Sequence, residues 1–298
     1  MLLSRPGEFA ALMTAVFWTI TALAFEAAGK RVGSLVVNLL RLLFGFIFLS
    51  AYVLLFRGML LPLDASAENW LWLSLSGVIG LAIGDLLLFR AFIAIGARIS
   101  MLIMAAVPPI TAIIGWALLG EILSLRDITG MIITICGIAL VVLERNPGEQ
   151  QIRFSLPFSG ILLALGGALG QAIGLVFSKM GMVDYNAFAG TQIRIIAATI
   201  SFSIVFSFTK SWGNIPGAFK NKHAIRAIAL GAFFGPFLGV AFSLLAVQHT
   251  ATGVASTIMA IVPVLIIPPA IIFFREKVTV REIFGALLAV GGVGLLFL

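Results

Sequence analysis

The chemistry open to this chain lies in a few ionisable groups set inside long apolar runs. Each opposes insertion into a membrane by roughly 2.5–3.5 kcal/mol at the centre of a span, so each calls for a partner or a ligand. Arg41, Arg194, Asp85, Glu26 and Arg90 are such groups. A guanidinium holds a carboxylate or phosphate through two parallel hydrogen bonds, which makes Arg41 and Arg194 a candidate substrate-binding pair. The competing reading is that each locks helices together or snorkels to the interface. A desolvated carboxylate can take up and release a proton. Glu26 and Asp85, with Arg90 nearby, are therefore candidates for coupling or gating, or else static partners for the arginines. Gln171 and Gln192 can bind a polar group or hydrogen-bond between helices, and Trp18 is a candidate for a cavity wall.

The elements that must position these groups follow from composition. Of the 298 residues, 61% are hydrophobic and 10% charged. Soluble domains carry about 25% charged residues, so the chain lacks the polar surface a soluble fold needs. A span needs roughly 20 mostly apolar residues. Ten stretches qualify: about 8–28, 34–56, 70–91, 97–119 and 126–143, then 157–179, 186–208, 224–247, 252–274 and 280–298. Between the two sets lies the charged linker 144–156, with Asn146-Pro147-Gly148 as a turn signal.

The two sets are copies. A shift of 155 residues lays Gly239–Leu298 over Gly84–Leu143 without a gap, pairing Glu121, Arg126, Gly130 and Gly137 with Glu276, Arg281, Gly285 and Gly292. Arg41 falls on Arg194 at a shift of 153, early in the second span of each set, and Ser76, Gly80 and Gly84 fall on Gly231, Gly235 and Gly239. The acidic groups are not duplicated: Val240 stands at the twin of Asp85 and Ser178 close to that of Glu26. Because each copy has an odd number of spans, the second enters the membrane from the opposite face. The expected fold is an all-α polytopic membrane protein of ten transmembrane helices, built as two inverted five-helix repeats over 1–143 and 157–298.

Pro108, Pro109, Pro263 and Pro268 interrupt spans four and nine, and such breaks are tolerated where freed carbonyls find neighbours or line a cavity. Ser124-Leu-Arg-Asp127 and Thr279-Val-Arg-Glu282 are capping-box patterns that start spans five and ten. Small residues spaced by four in spans three, six and eight suit close helix contacts within the chain or in a homodimer. Twin arginines, broken fourth and ninth spans, and the Gly120-Glu121…Ser124…Asp127…Gly130 stretch together resemble the EamA-type drug/metabolite transporter superfamily. The second copy departs from that stretch only in having Arg275 for the leading glycine. The resemblance covers the whole chain and implies a transporter of small organic solutes with a central cavity and cytoplasmic termini.

No phosphate-binding loop, metal-spaced Cys/His cluster or hydrolase motif occurs, so no cofactor, metal site or enzymatic activity is expected. The formal charge of +7 reads as basic membrane loops, not nucleic-acid binding. These features point to a secondary transporter in the inner or plasma membrane whose partners are the bilayer and a small polar metabolite such as an amino acid or other organic anion. Alternating access is the expected mode; export is what the family resemblance implies, and proton coupling through Glu26 or Asp85 stands beside their reading as static partners. The alternatives are a flippase for a prenyl-phosphate lipid and an interaction subunit without flux. The face that holds the termini (side A) carries Arg5, Arg57, Arg126 and Lys179, whereas the other face (side B) carries nearly all the remaining loop cations. The positive-inside rule then puts the termini outside the cytoplasm, against the family expectation. Labelling of a thiol added at the C-terminus from the outer face would bear out the charge argument, and protection from that face would overturn it.

Overall fold

In the computed structural model, residues 6–119, 123–144, 153–154, 156–182, 185–249, 255 and 258–297 are described. The loop group Glu121, Asn146-Pro147-Gly148 of the linker, and Arg5 lie outside them. The first half forms α1 (Pro6–Val32), α2 (Ser34–Arg57), α3 (Ala67–Ile95), α4 (Ala97–Ile103, then a tight turn at Met104–Ala106, then Val107–Leu119) and α5 (Leu125–Val142). The second half forms α6 (Phe158–Gly181), α7 (Ala187–Phe208), α8 (Lys222–Ala232, Phe233–Gly239 and Val240–His249), α9 (Val262–Leu265 and Ile267–Phe274) and α10 (Val280–Phe297). A short helix, Asn214–Lys220, lies between α7 and α8. Leu143–Glu144 pairs antiparallel with Arg153–Phe154 where the two halves join.

Among the described residues, eight helices, α1 to α8, are long and apolar enough to cross a membrane, while Val262–Phe274 is a shorter apolar helix. Prolines divide the helix among the described residues of the ninth span. Pro263 and Pro268 each sit in the first turn of a new helical segment, where a missing N–H leaves no helical hydrogen bond unmade. Pro108 and Pro109 likewise open the second part of α4, after the turn at Met104–Ala106. Large apolar side chains such as Leu55, Phe208 and Ile272 stand exposed on the outer helix faces, as a lipid-facing surface requires.

The halves interlock by exchange. The third helix of each half packs on the first helix of the other, α3 on α6 and α8 on α1; α2 meets α7, and α5 lies along α10. At that last contact twins meet crosswise. A Cβ on Gly137 would touch Gly285 and Ala289, and one on Gly292 would touch Gly130 and Thr134, so only hydrogen allows these helices to approach so closely. Thr134 donates both to its own helix at Gly130 O (2.9 Å) and across to Ala289 O (3.3 Å). Both capping boxes form: Ser124 with Asp127, and Thr279 with Glu282. Arg275, standing where the first copy has glycine, ends α9 in the left-handed region at φ 54°, a conformation that opposes an L side chain by roughly 1–2 kcal/mol.

Two features were not foreseen from sequence. Gly77–Gly84 in α3 and Phe233–Gly239 in α8 are π-helical. They occupy twin positions and both end at the twin glycines Gly84 and Gly239. A π-helical stretch widens the turn and redirects the side chains that follow it, and such stretches are frequent at functional sites. Here each one precedes the residue, Asp85 or Val240, that distinguishes the two halves.

Candidate functional site

Between the halves lies a cavity of about 190 Å³, with walls from α1, α2, α3, α4, α6, α7, α8 and α9. The proline breaks and π-helical stretches border it: Pro108, Pro263, Gly235 and Pro236 are part of the wall. Of the residues singled out by sequence, it gathers Arg41, Arg194, Asp85, Gln171, Trp18, Pro108 and Pro263. Its remaining wall is mostly aromatic, aliphatic and methionine.

Arg41 is buried and fully engaged. Its Nη2 lies 2.6 Å from Asp85 Oδ2 and donates to Leu81 O at 2.9 Å, while its Nε donates to Asn38 Oδ1 at 3.1 Å. The guanidinium centre sits 4.7 Å from the Phe89 ring centroid, a cation–π distance. The second oxygen of Asp85, Oδ1, accepts from Gln171 Nε2 at 2.6 Å, and Gln171 also reaches Gly80 O at 3.4 Å. Asn38, fully buried, further donates to the backbone oxygen of Asp85 at 3.3 Å. This closed network binds α2, α3 and α6 together.

Arg194 is its twin and has none of these partners. It is 5% exposed, and its Nε is buried without a hydrogen bond. No ion pair or hydrogen bond of its side chain is formed among the described residues. The duplication explains why. Thr191 replaces Asn38 and turns its hydroxyl back to Ala187 O at 2.8 Å. Pro236 stands where Leu81 does and keeps its carbonyl, which takes no hydrogen bond from Arg194, and Val240 replaces the Asp85 carboxylate with an apolar side chain. The two side-chain acceptors that hold Arg41, an amide and a carboxylate, are thus absent around Arg194, while Asp85 acts on Arg194 only through space.

The other candidates stand elsewhere. Glu26 is fully buried beyond the cavity wall, where its Oε2 accepts from Ala97 N at 2.9 Å at the start of α4 and its Oε1 from Lys30 at 2.5 Å. Arg90 points outward and is exposed. Gln192 donates to Ser50 Oγ at 2.8 Å and to Leu60 O at 2.9 Å, which ties α7 to α2 and the following loop. Pro109 is buried behind the wall and Pro268 is exposed. Of the coupling or gating candidates Glu26, Asp85 and Arg90, the structure joins only Asp85 to Arg41. Asn38, Phe89 and Ser243 were not singled out. A buried amide one turn before Arg41 was the available signal for Asn38; nothing in the spacing marked the other two.

Polar ties join the halves on both faces. On side B, Arg98 Nε lies 2.8 Å from Glu276 and its Nη1 3.0 Å from Glu282, whose other oxygen completes the α10 capping box. On side A, Asp64 meets Arg57 at 2.5 Å and accepts from the Tyr185 hydroxyl at 3.0 Å. Slight desolvation would raise the Asp64 pKa, but the hydrogen bonds from Arg57 and Tyr185 outweigh it and hold the carboxyl below its ordinary range. By the 155-residue register Arg98 falls on Gly253, so the side-B tie has no cationic twin in the sequence.

Two five-helix halves of interlocked, inverted topology around a central cavity define a polytopic membrane transporter architecture. The EamA-like transporter family profile matches residues 5–143 and again 158–298, and the chain belongs to that family. It is accordingly a multi-pass membrane transporter of small molecules, in contact with the bilayer. A solved crystal structure superposes on the chain with a TM-score of 0.67 at 18% identity, covering 97% of this chain and 95% of the other, a likeness of fold. No curated protein matches the sequence significantly.

Proposed function

We propose that the chain is a secondary transporter of a small organic anion or zwitterion whose acidic group docks on Arg194. One observation carries this reading: the buried Arg194 guanidinium lines the cavity with no hydrogen bond or ion pair to any described residue, while its twin is held by three acceptors. A buried charge without a partner is strongly unfavourable, so the site favours a ligand that supplies the missing one. Movement between side-A-open and side-B-open forms would break and remake the Arg98 and Asp64 ties in turn. Export is the direction implied by the family resemblance. Both oxygens of Asp85 are already held by Arg41 and Gln171, which supports a static role for that carboxylate over proton carriage.

Counterflow of labelled organic acids in proteoliposomes tests the reading. Arg194→Met should lower flux of the transported acid by about a hundredfold, the loss expected when two charge-assisted hydrogen bonds disappear. Its thermal midpoint should stay level or rise, since an unpaired buried charge has been removed. Wild-type flux in Arg194→Met would rule out the arginine as the docking group.

A further inference from the structure

We infer that the cargo is an amphipathic monoanion: a single carboxylate, or a group of equal charge, on an aryl or comparably apolar body. The inference rests on the transport reading above and narrows it from small polar metabolites to a defined chemical class.

Charge sets the first limit. Among the described residues, the only ionisable ones in the cavity wall are Arg41, Asp85 and Arg194. Two cations and one anion leave a single uncompensated positive charge, located at Arg194. One ligand charge neutralises it; a second anionic group would have to compete with Asp85 for Arg41, which three protein acceptors already hold.

Hydrogen-bonding capacity sets the second. Thr21 donates to Gly231 O at 3.3 Å and Ser243 to Val240 O at 2.7 Å, while the Gln171 amide donates to Asp85 and Gly80. A sugar or nucleoside would bury several hydroxyls here with few free partners, and unpaired buried polar groups are strongly disfavoured. An ammonium group would find its natural counter-ion, Asp85, already engaged.

The wall sets the third. Arg194 enters α7 about 10 Å from its side-A end at 1.5 Å per residue. Phe25, Phe89 and Phe92 come from the side-B turns of α1 and α3, with Phe25–Phe89 and Phe89–Phe92 centroids 4.9 and 5.3 Å apart. Met101 and Met104 adjoin them, and methionine sulfur packs well against aromatic edges. A ligand with its head on Arg194 therefore lays its body against an aromatic and thioether surface. An apolar cavity of roughly 150 Å³ accepts one benzene ring. The 190 Å³ found here accommodates a ring and a short acidic arm.

The test uses the full chain in proteoliposomes with phenylacetate as the probe. Its competitors are phenylacetamide (neutral), phenylalanine (zwitterion), phenylsuccinate (dianion) and glycerol phosphate (polar anion). Phenylacetate should move, and each competitor should compete at least about tenfold more weakly, the discrimination expected when a charge or polar group is left unmatched. Flux that depends on Arg194 but prefers the zwitterion, the dianion or the polar anion would overturn the inference and leave the transport reading standing. Failure of any of these acids to move would overturn both. Val240→Asp offers an independent arm, since it restores the carboxylate that the first half has at this position. It should weaken phenylacetate binding by about a hundredfold through like-charge repulsion, and Val240→Asn, which adds an amide without charge, should weaken it at least about tenfold less. Unchanged phenylacetate binding in folded Val240→Asp would also refute the inference. Should that variant fail to fold, the competitor ranking decides.

Discussion

Arg41→Met should destabilise the protein by about 3–5 kcal/mol, because it leaves Asp85 buried and charged with only Gln171 to hold it. The same substitution at the twin position, Arg194, should leave stability level or raised. A difference of this size between equivalent arginines follows from their surroundings alone: Asn38, Leu81 and Asp85 around one; Thr191, Pro236 and Val240 around the other. The pair can also be removed together. Arg41→Met combined with Asp85→Leu should recover most of the loss, since a buried ion pair replaced by apolar groups of similar volume is often neutral. Denaturant or thermal unfolding of the two single variants and the double variant gives the coupling directly. Additive losses, with no recovery in the double variant, would show that Arg41 and Asp85 do not act as one unit.

Gly170→Val is the second large effect. A Cβ at Gly170 would lie 2.7 Å from the Gly84 Cα and 3.1 Å from Ile79 O, both backbone atoms. No rotamer relieves such a contact, so α6 must move away from the π-helical part of α3, and overpacking of this kind typically costs about 1–3 kcal/mol. The shift also draws the neighbouring Gln171 away from Asp85, so weaker ligand binding should accompany the lower unfolding midpoint. Gly166→Ala, one turn earlier, is the control. Its Cβ would meet only the Cδ1 end of Leu87, a side chain able to turn aside. Equal midpoints for Gly170→Val and wild type would mean that this seam is looser than the structure shows.

Much of the architecture was legible because a membrane constrains sequence severely. Apolar length marks helices, odd span number forces inversion of the second copy, and proline marks helix breaks. The capping boxes of α5 and α10 were equally legible, since that geometry is local to four residues. Twin glycines predicted close packing, but not which helices would meet. Ser76, Gly80 and Gly84 approach the small residues of α6, whereas Gly231, Gly235 and Gly239 receive Phe25, Thr21 and Trp18 of α1. One glycine pattern thus serves two different seams, and only the larger partners on α1 make the second one aromatic.

The site divides in the same way. The sequence by itself determined the class of molecule, the twin arginines and the absence of an acidic twin for Asp85. The tertiary structure decided what that absence does. Hydrogen bonds among Arg41, Asn38, Leu81, Asp85 and Gln171 join three helices and span up to 86 residues of chain, beyond the reach of any local pattern. Glu26 and Asp85, alike in sequence as lone acids in apolar runs, separate once folded: one meets the start of α4 and the other a guanidinium. A side chain's type fixes the bonds it can make, and the packing of distant helices fixes which of them it does make. At Arg194 that packing leaves one charge for a ligand to complete.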